Sequence, residues 1–473
     1  MEILFVTPEL SPISGDGPLA RVSSALPKAL RGLDHRVTVV SPLYRGIDPV
    51  ALQLARRLTR LELDVGGETH ACELYDGRTS AGVELLFIGH EGLFGSAGHM
   101  EEGDEATVAR RAGLFGRAAA GLVETREPRP EVLHGLGWPG ALAVTRAHGN
   151  VATVLTVPEL TTEGRFPPAL AGDLGIPEAL RGPAGAEHEG RVVPVKAAFL
   201  QADRVTTGSP AYAREVREGR EGAGLSAVVA DLGDRFIGVP HGVDGAVWNP
   251  ATDAHLPSRF DPMDLRGKRR CKADLQQAAG LQVRADVCVV GCLGRGGEDE
   301  GLDLLAEAAP DVLRNDVQLV VRAPDGQPGL AGLQALSERF PDRLAVLPAP
   351  DETEAHRLIA GADLLAVPHR RAPHGELAMQ AHRYGTLPVV RRVSAHADAV
   401  VDCDAQLRTG SGFVFDEASA TELGAALARA LVAFTRGEAF TALQQRAMRI
   451  DHSWERSARL YDREYRLALG VED

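Results

Sequence analysis

The chain has 473 residues, more than one ordinary hydrophobic core accommodates, so two or three domains are expected. Apolar residues make up 44% and charged residues 25%, as in a typical globular protein. The formal net charge of −14 argues against a general nucleic-acid binder and against an anionic-membrane binder. The sequence begins MEILFV, with no basic region and no long apolar stretch, which predicts neither signal peptide nor membrane anchor and favours the cytoplasm.

The first part of the chain alternates short apolar runs with amphipathic stretches. Residues 2–7 predict a buried parallel strand, which is followed by a loop rich in Gly and Pro. Apolar residues then recur at helical spacing from Val22 to Leu30 and precede a second strand. Strand, loop, helix and strand form a βαβ unit. The same pattern predicts further strands at 36–40, 132–134 and 151–155, and helices at 105–125, 191–202 and 209–218.

A second α/β series begins after the Pro-containing stretch 250–262. Its predicted strands are at 287–290, 317–321, 344–347, 364–367 and 387–390. We therefore predict an α/β fold with two doubly wound Rossmann-like domains, 1–249 and 250–452, facing across a cleft. A terminal amphipathic helix in 453–473 is expected to pack back on the N-terminal domain. In open parallel sheets, ligands bind at the carboxyl ends of the strands.

The five cysteines are scattered along the chain. Cys288 and Cys292 alternate with Val and Gly in an apolar run, which predicts a buried strand better than a metal site. No His or Cys pair at ligand spacing accompanies them, so no metal site is predicted.

Several motifs carry a resemblance to one known family, and the most specific is RYGTLPVVRR at 383–392. The others are at residues 2–9 and 25–30, His134 with Trp138, 196–210, 241–244 with 248–250, and 301–305. In this order and spacing they resemble bacterial ADP-glucose-type glycogen and starch synthases from residue 2 to about 468. The resemblance implies a GT-B fold and transfer of glucose from ADP-glucose to an α-1,4-glucan with retention of configuration. It implies no metal or other cofactor, since basic side chains and backbone N–H groups neutralise the leaving diphosphate.

The first set of site positions implied by the resemblance is altered. The family loop Lys-Thr-Gly-Gly-Leu, whose lysine meets the nucleotide phosphates, is GDGPL here, so the lysine is replaced by Gly15. Gly17 keeps a family glycine, whereas the next residue, Pro18, removes a backbone donor. The sugar-facing aspartate becomes Gly137, and the histidine at the donor glucose becomes Pro158.

The remaining altered positions extend into the second series. A family asparagine becomes His241, and the second phosphate lysine becomes Glu300, which reverses the charge. The active-site glutamate becomes Ala372. Arg295 survives as a phosphate-site residue, and Gly375 survives with Glu376 beside the expected phosphate position.

Non-catalytic explanations remain open at these positions. Arg295 could bind phosphate or pair with Glu298 or Glu300. Gly17 and Gly375 could serve a turn alone, and His241 could be a core residue. The Tyr-Gly-Thr of the most specific motif could pack a helix onto a sheet.

Three functions remain open from the sequence. The chain could be a divergent homologue with lost or strongly reduced synthase activity, acting as a glucan-binding or regulatory partner. It would then bind α-glucan or maltooligosaccharide, an intact glycogen synthase, and ADP-glucose or another sugar nucleotide weakly. Alternatively, it could be an active glycosyltransferase with another donor or a rearranged site, or a working ADP-glucose synthase. Loss of two lysines and a histidine, at roughly 3 kcal/mol each, favours the first hypothesis.

Overall fold

The computed structural model describes residues 1–160 and 164–471. The chain forms two compact units. One unit contains Met1–His241 together with the chain from Trp454, and the other contains Gly242–Ser453. None of the described helices is long and apolar enough to cross a membrane.

In the described part of the chain before residue 242, the first unit has eleven strands and six helices. The strands are β1 (Glu2–Val6), β2 (Arg36–Pro42), β3 (Ala55–Val65), β4 (Glu68–Arg78), β5 (Glu84–Gly89), β6 (Val132–Leu136), β7 (Ala152–Thr156), β8 (Glu187–His188), β9 (Arg191–Val192), β10 (Arg204–Thr207) and β11 (Phe236–Gly238). The helices are α1 (Pro18–Arg31), α2 (Glu105–Thr125), α3 (Gly137–Ala147), α4 (Pro194–Gln201), α5 (Pro210–Arg217) and α6 (Ser226–Asp231).

Nine of these strands form one sheet in the order β11-β10-β7-β6-β1-β2-β5-β4-β3. The strands from β11 to β5 are parallel, and the β3–β4 hairpin adds an antiparallel edge. The sequence pattern does not predict this hairpin, because strand β3 is largely exposed and lacks the apolar run of a buried strand. Strands β8 and β9 form a separate two-stranded ribbon.

The second unit is doubly wound around six parallel strands. The strands are β12 (Cys288–Leu293), β13 (Val317–Arg322), β14 (Leu344–Leu347), β15 (Leu364–Val367), β16 (Leu387–Arg391) and β17 (Phe413–Phe415). The helices are α7 (Arg266–Ala278), α8 (Leu302–Val312), α9 (Leu330–Arg339), α10 (Glu352–Gly361), α11 (Glu376–Arg383), α12 (Ser394–Ala399), α13 (Ala420–Phe434) and α14 (Glu438–Met448). The last helix, α15 (Trp454–Ala468), lies in the first unit.

Strand β12 is a continuous apolar run because both of its faces are buried. Cys288, Val290 and Cys292 pack into a core with α8 and α13 on one face of the sheet. Val289 and Leu293 pack into a second core with α7 and α10 on the other face. A strand covered on both faces must be apolar at every position. All five cysteines are buried and free, as expected for the two in β12.

Strand order defines where a ligand site can form in each unit. The second sheet has the order β14-β13-β12-β15-β16-β17, which is the Rossmann order with its switch point between β12 and β15. In the first sheet, the chain passes from β1 to β2 towards one edge and from β6 to β7 towards the other edge. The switch point therefore lies between β1 and β6. The loops after β1, β6, β12 and β15 are therefore the places to look for a site.

The predicted helix at 191–202 begins later than expected, at Pro194. Residues Arg191 and Val192 pair as strand β9 with Glu187 and His188 instead. Proline is favourable at the first turn of a helix, because the backbone N–H that proline lacks would have no acceptor within the helix there.

Candidate functional site

The loop after β1 leads into α1 and contains the two glycines of the predicted phosphate loop. Gly17 caps α1 without a side-chain hydrogen bond, and Pro18 occupies the first turn. A Cβ at Gly15 would lie 3.2 Å from Glu9 Oε2 and 3.5 Å from Ala20 Cβ. Any larger residue at Gly15 therefore starts beside a carboxylate.

This loop is acidic. Burial raises the pKa of Glu9 above its ordinary value, and the nearby Glu101 and Asp16 raise it further, while His99 opposes them. Trp138 Nε1 donates to Glu101 Oε1 at 3.0 Å. Fixed negative charge at this loop disfavours a second anion such as a diphosphate.

The next two altered positions offer no side-chain donor. Gly137 begins α3 with φ +68°, and a Cβ there would lie 3.2 Å from Leu19 Cδ1. Pro158 is buried, and its carbonyl oxygen accepts a hydrogen bond from Thr207 Oγ1 at 3.3 Å. Neither residue has a side-chain group that can form a hydrogen bond with a ligand.

His134 and His241 are both buried in the first unit. His134 is fully buried, with Nδ1 2.7 Å from Tyr465 Oη and Nε2 2.6 Å from Thr156 Oγ1. His241 packs its ring against Trp454, with centroids 5.4 Å apart. The His134 motif thus ties strand β6 to helix α15.

His134 should make the stability of the first unit sensitive to acid. Burial lowers its pKa to about 3, from about 6.5 in an unfolded chain. Between about pH 6.5 and 3, the unfolded state therefore binds a proton at His134 that the folded state does not bind. The stability that is present above about pH 6.5 decreases as the pH drops towards 3. We expect His134→Gln to flatten the fall in Tm between about pH 7 and 5. The exposed His148→Gln is the matched control, and an equal slope in all three proteins would contradict the prediction.

In the second unit, the loop after β12 holds a carboxylate in a pocket of donors. The Arg295 backbone N–H donates to Glu300 Oε1 and Oε2 at 2.9 and 2.8 Å. The Gly296 N–H and Gln327 Nε2 donate to Oε2 at 3.1 and 2.9 Å. We call these three donor groups the anion pocket. Its hydrogen bonds are satisfied by the protein's own carboxylate.

The Arg295 side chain points to a different partner from those weighed in the sequence analysis. Its guanidinium Nη1 lies 3.3 Å from Glu376 Oε2, and the side chain is 42% exposed. Glu376 is the first residue of α11, and its Oε1 also accepts from Gln380 Nε2 at 3.1 Å. Arg295 therefore pairs with Glu376, while its backbone N–H binds Glu300.

Two neighbouring arginines are also paired with carboxylates. Arg370 contacts both carboxylate oxygens of Asp303, at 2.8 and 2.6 Å. Arg371 Nη1 lies 3.4 Å from Asp299 Oδ2. The positive charge near the loop after β15 is thus largely compensated within the protein.

Gly375 and Ala372 shape the backbone of the loop after β15. Gly375 caps α11 with φ +63°, and a Cβ there would lie 2.8 Å from Ala395 Cβ. The glycine is therefore required by both conformation and space. Ala372 is 4% exposed, and its carbonyl accepts from the Ala395 N–H at 2.9 Å.

The Tyr-Gly-Thr of the most specific motif has a packing role. Tyr384 is fully buried, and its hydroxyl donates to Asp253 Oδ2 at 2.6 Å. Thr386 Oγ1 accepts from Lys268 Nζ at 2.7 Å. Burial lowers the pKa of Lys268 to about 8. These contacts attach the end of α11 to the elements that precede β12.

One member of the anion pocket, Gln327, was not predicted from the sequence. It follows β13 in a loop of Pro, Asp and Gly residues, where no motif marks it. The spatial relation of Asp16 to Glu300 and Glu376 also does not follow from the sequence. The structure brings Glu300 and Glu376 together around Arg295, whereas Asp16 belongs to the other unit.

Comparisons with known proteins agree with this architecture. Residues 2–231 match the family model described as starch synthase catalytic domain, and residues 277–433 match glycosyl transferases group 1. The glycogen synthase of Anaeromyxobacter sp. (strain Fw109-5) is 40% identical over 479 residues, covering 98% of this chain and 99% of that protein. Glycogen synthase 2 of Geobacter sulfurreducens is 31% identical and covers 99% of both chains.

Solved structures show the same fold. The catalytic domain of starch synthase IV from Arabidopsis thaliana, bound to ADP and acarbose, matches with a TM-score of 0.88 and 27% identity over 99% of both chains. Sucrose-phosphate synthase from Thermosynechococcus elongatus shares the fold at a TM-score of 0.61 and 15% identity, covering 98% of both chains. The two doubly wound units are therefore those of a GT-B glycosyltransferase. Within that class, the chain belongs to the glycogen and starch synthase family.

Proposed function

We propose that this family member has lost, or strongly reduced, ADP-glucose-dependent synthase activity and acts in the cytoplasm as a glucan-binding or regulatory partner. The single observation that carries the proposal is the Glu300 carboxylate in the anion pocket. We infer from the family resemblance that synthases of this family carry a phosphate-binding lysine at this position. Here the position supplies an anion that already accepts the pocket's hydrogen bonds.

The charge balance supports the same proposal. A diphosphate needs fixed positive charge where negative charge develops on the leaving group. In this chain Arg295, Arg370 and Arg371 each have a carboxylate partner. A nucleotide would have to displace those carboxylates and also approach Glu300, and two unit charges about 4 Å apart at a protein surface repel by roughly 4 kcal/mol.

The glucan side of the proposal is supported by the relatives. The Arabidopsis starch synthase IV structure holds acarbose as well as ADP. We propose that this chain keeps affinity for α-glucan or maltooligosaccharide while its affinity for sugar nucleotides is weak. We propose an intact glycogen synthase as the protein partner in the regulatory role.

Nucleotide binding tests the role of Glu300 directly. We expect Glu300→Gln to bind ADP at least about tenfold more tightly than the wild type, because it removes one repelling charge from the anion pocket. Isothermal titration calorimetry measures both affinities. The matched control is Glu298→Gln, which makes the same change in net charge at an exposed side chain two residues away.

Each outcome has a defined meaning. Equal ADP affinity in the wild type and Glu300→Gln would contradict the blocking role of Glu300. Tight ADP binding by the wild type would contradict the proposed function itself. Retarded migration through a glycogen-containing native gel should show glucan binding in the wild type, and unhindered migration would remove the glucan-binding role.

A further inference from the structure

Three side chains of the second unit, His255, Glu352 and His356, form a cluster away from the anion pocket. Each offers one metal-ligating atom, and these atoms all lie within 4.8 Å of one another. His255 lies in the segment before α7, Glu352 is the first residue of α10, and His356 lies one turn later. The positions of Glu352 and His356, four residues apart, put both side chains on the same face of the helix.

His356 is prepared as a ligand. It is fully buried, and its Nδ1 lies 2.7 Å from Asp253 Oδ2. Trp248 stacks on its ring with centroids 3.7 Å apart and planes 13° from parallel. Among the described residues, the buried Nε2 has no hydrogen-bond partner. A buried imidazole nitrogen without a partner is costly unless something binds it.

His255 is oriented in a similar way. Its backbone N–H donates to Asp253 Oδ1 at 2.8 Å, and its Nδ1 lies 2.9 Å from Thr353 Oγ1. These contacts leave its Nε2 as the ligating atom. The side chain of Glu352 is exposed and can adjust its rotamer.

We propose that His255 Nε2, His356 Nε2 and one Glu352 carboxylate oxygen bind a divalent cation of the zinc class. Two imidazoles and one carboxylate suit zinc, whose ligands lie about 2.0–2.2 Å from the metal. Ligand atoms around such an ion are about 3.3 Å apart, so the three atoms, which lie within 4.8 Å of one another, move closer together when the ion binds. The Asp253 carboxylate, by accepting from His356 Nδ1–H, fixes the tautomer that leaves Nε2 free for the metal.

The bound ion would hold the segment around His255 against the start of α10. Both elements lie in the second unit, and none of the anion-pocket residues contributes a ligand. The site would therefore stabilise this unit. It is independent of the proposed function.

The full chain, freed of metal with EDTA and dialysed, is titrated with zinc chloride in a calorimeter. We expect saturable binding of one ion, a higher Tm with zinc, and a tetrahedral Co²⁺ absorption spectrum when cobalt replaces zinc. His255→Ala and Glu352→Gln should each weaken zinc binding by at least about tenfold. The exposed His148→Ala and Glu307→Gln are the matched controls and should bind as the wild type does.

Glu352→Gln changes an exposed side chain, so it tests the site even if His255→Ala does not fold. Failure to bind zinc at about 100 μM would overturn the proposal. Equal binding by the wild type and both ligand variants would also overturn it, and would point instead to another pair such as His70 and His90, whose nitrogens lie 3.2 Å apart.

Discussion

The unmodified chain should transfer glucose from ADP-glucose to glycogen at least about a thousandfold more slowly than a family member that retains both lysines, the histidine and the glutamate. Each preorganised donor lost from a leaving-group site costs roughly 3 kcal/mol of transition-state stabilisation, although such losses are seldom additive. A thousandfold corresponds to about 4 kcal/mol. Incorporation of radiolabelled glucose into glycogen by the purified protein measures the rate.

Restoring the replaced residues should recover activity. The variant is Gly15→Lys, Pro158→His, Glu300→Lys and Ala372→Glu. Lysine at 300 removes the carboxylate from the anion pocket, and lysine at 15 starts beside Glu9. We expect the labelled product to rise at least about a hundredfold over the wild type.

The structure also indicates where this variant could fail to fold. Pro158 and Ala372 are buried, so a polar side chain there needs a partner. The double variant Gly15→Lys with Glu300→Lys avoids both buried positions. It removes the acceptor of four hydrogen bonds in the anion pocket, so its Tm should fall below that of the wild type while the protein stays folded. Glu298→Lys is its charge control. Rapid glycogen elongation by the unmodified chain would refute the proposed loss of activity.

Asp253→Ala should destabilise the second unit by about 3–5 kcal/mol, the cost of removing one partner from a buried pair. Asp253 Oδ2 accepts from both Tyr384 and His356 Nδ1, and all three side chains are buried. Removing the carboxylate leaves two buried polar groups without their partner. Denaturant unfolding in EDTA, which excludes any metal contribution, measures the change.

The matched control is Asp325→Ala, at an exposed position. This control should change the free energy of unfolding by less than about 0.5 kcal/mol. Tyr384→Phe removes one hydrogen bond and keeps the ring, so it should cost only about 1–2 kcal/mol. If Asp253→Ala costs no more than Asp325→Ala, the Asp253 network does not hold this unit together.

Nine of the thirteen parallel strands could be predicted from the sequence because their chemistry is local, whereas β5, β10, β11 and β17 were not predicted. The run that contains Cys288 and Cys292 is apolar at every position, as a strand covered on both faces must be. Helix α2 matches its predicted bounds of 105–125, because Asp104 caps it and the apolar spacing persists. The hairpin of β3 and β4 was missed, since its side chains are mostly exposed and carry no such pattern.

The sequence by itself determined the family and the doubly wound fold, and it predicted which site residues are replaced. Only the tertiary structure decided which hydrogen bonds and ion pairs those residues form. It showed that Glu300 binds the Arg295 and Gly296 N–H groups and that Arg295 pairs with Glu376, 81 residues away. It also brought His255 to His356. Local patterns report burial and backbone conformation, whereas hydrogen bonds and ion pairs depend on distances between side chains that only the folded chain brings together.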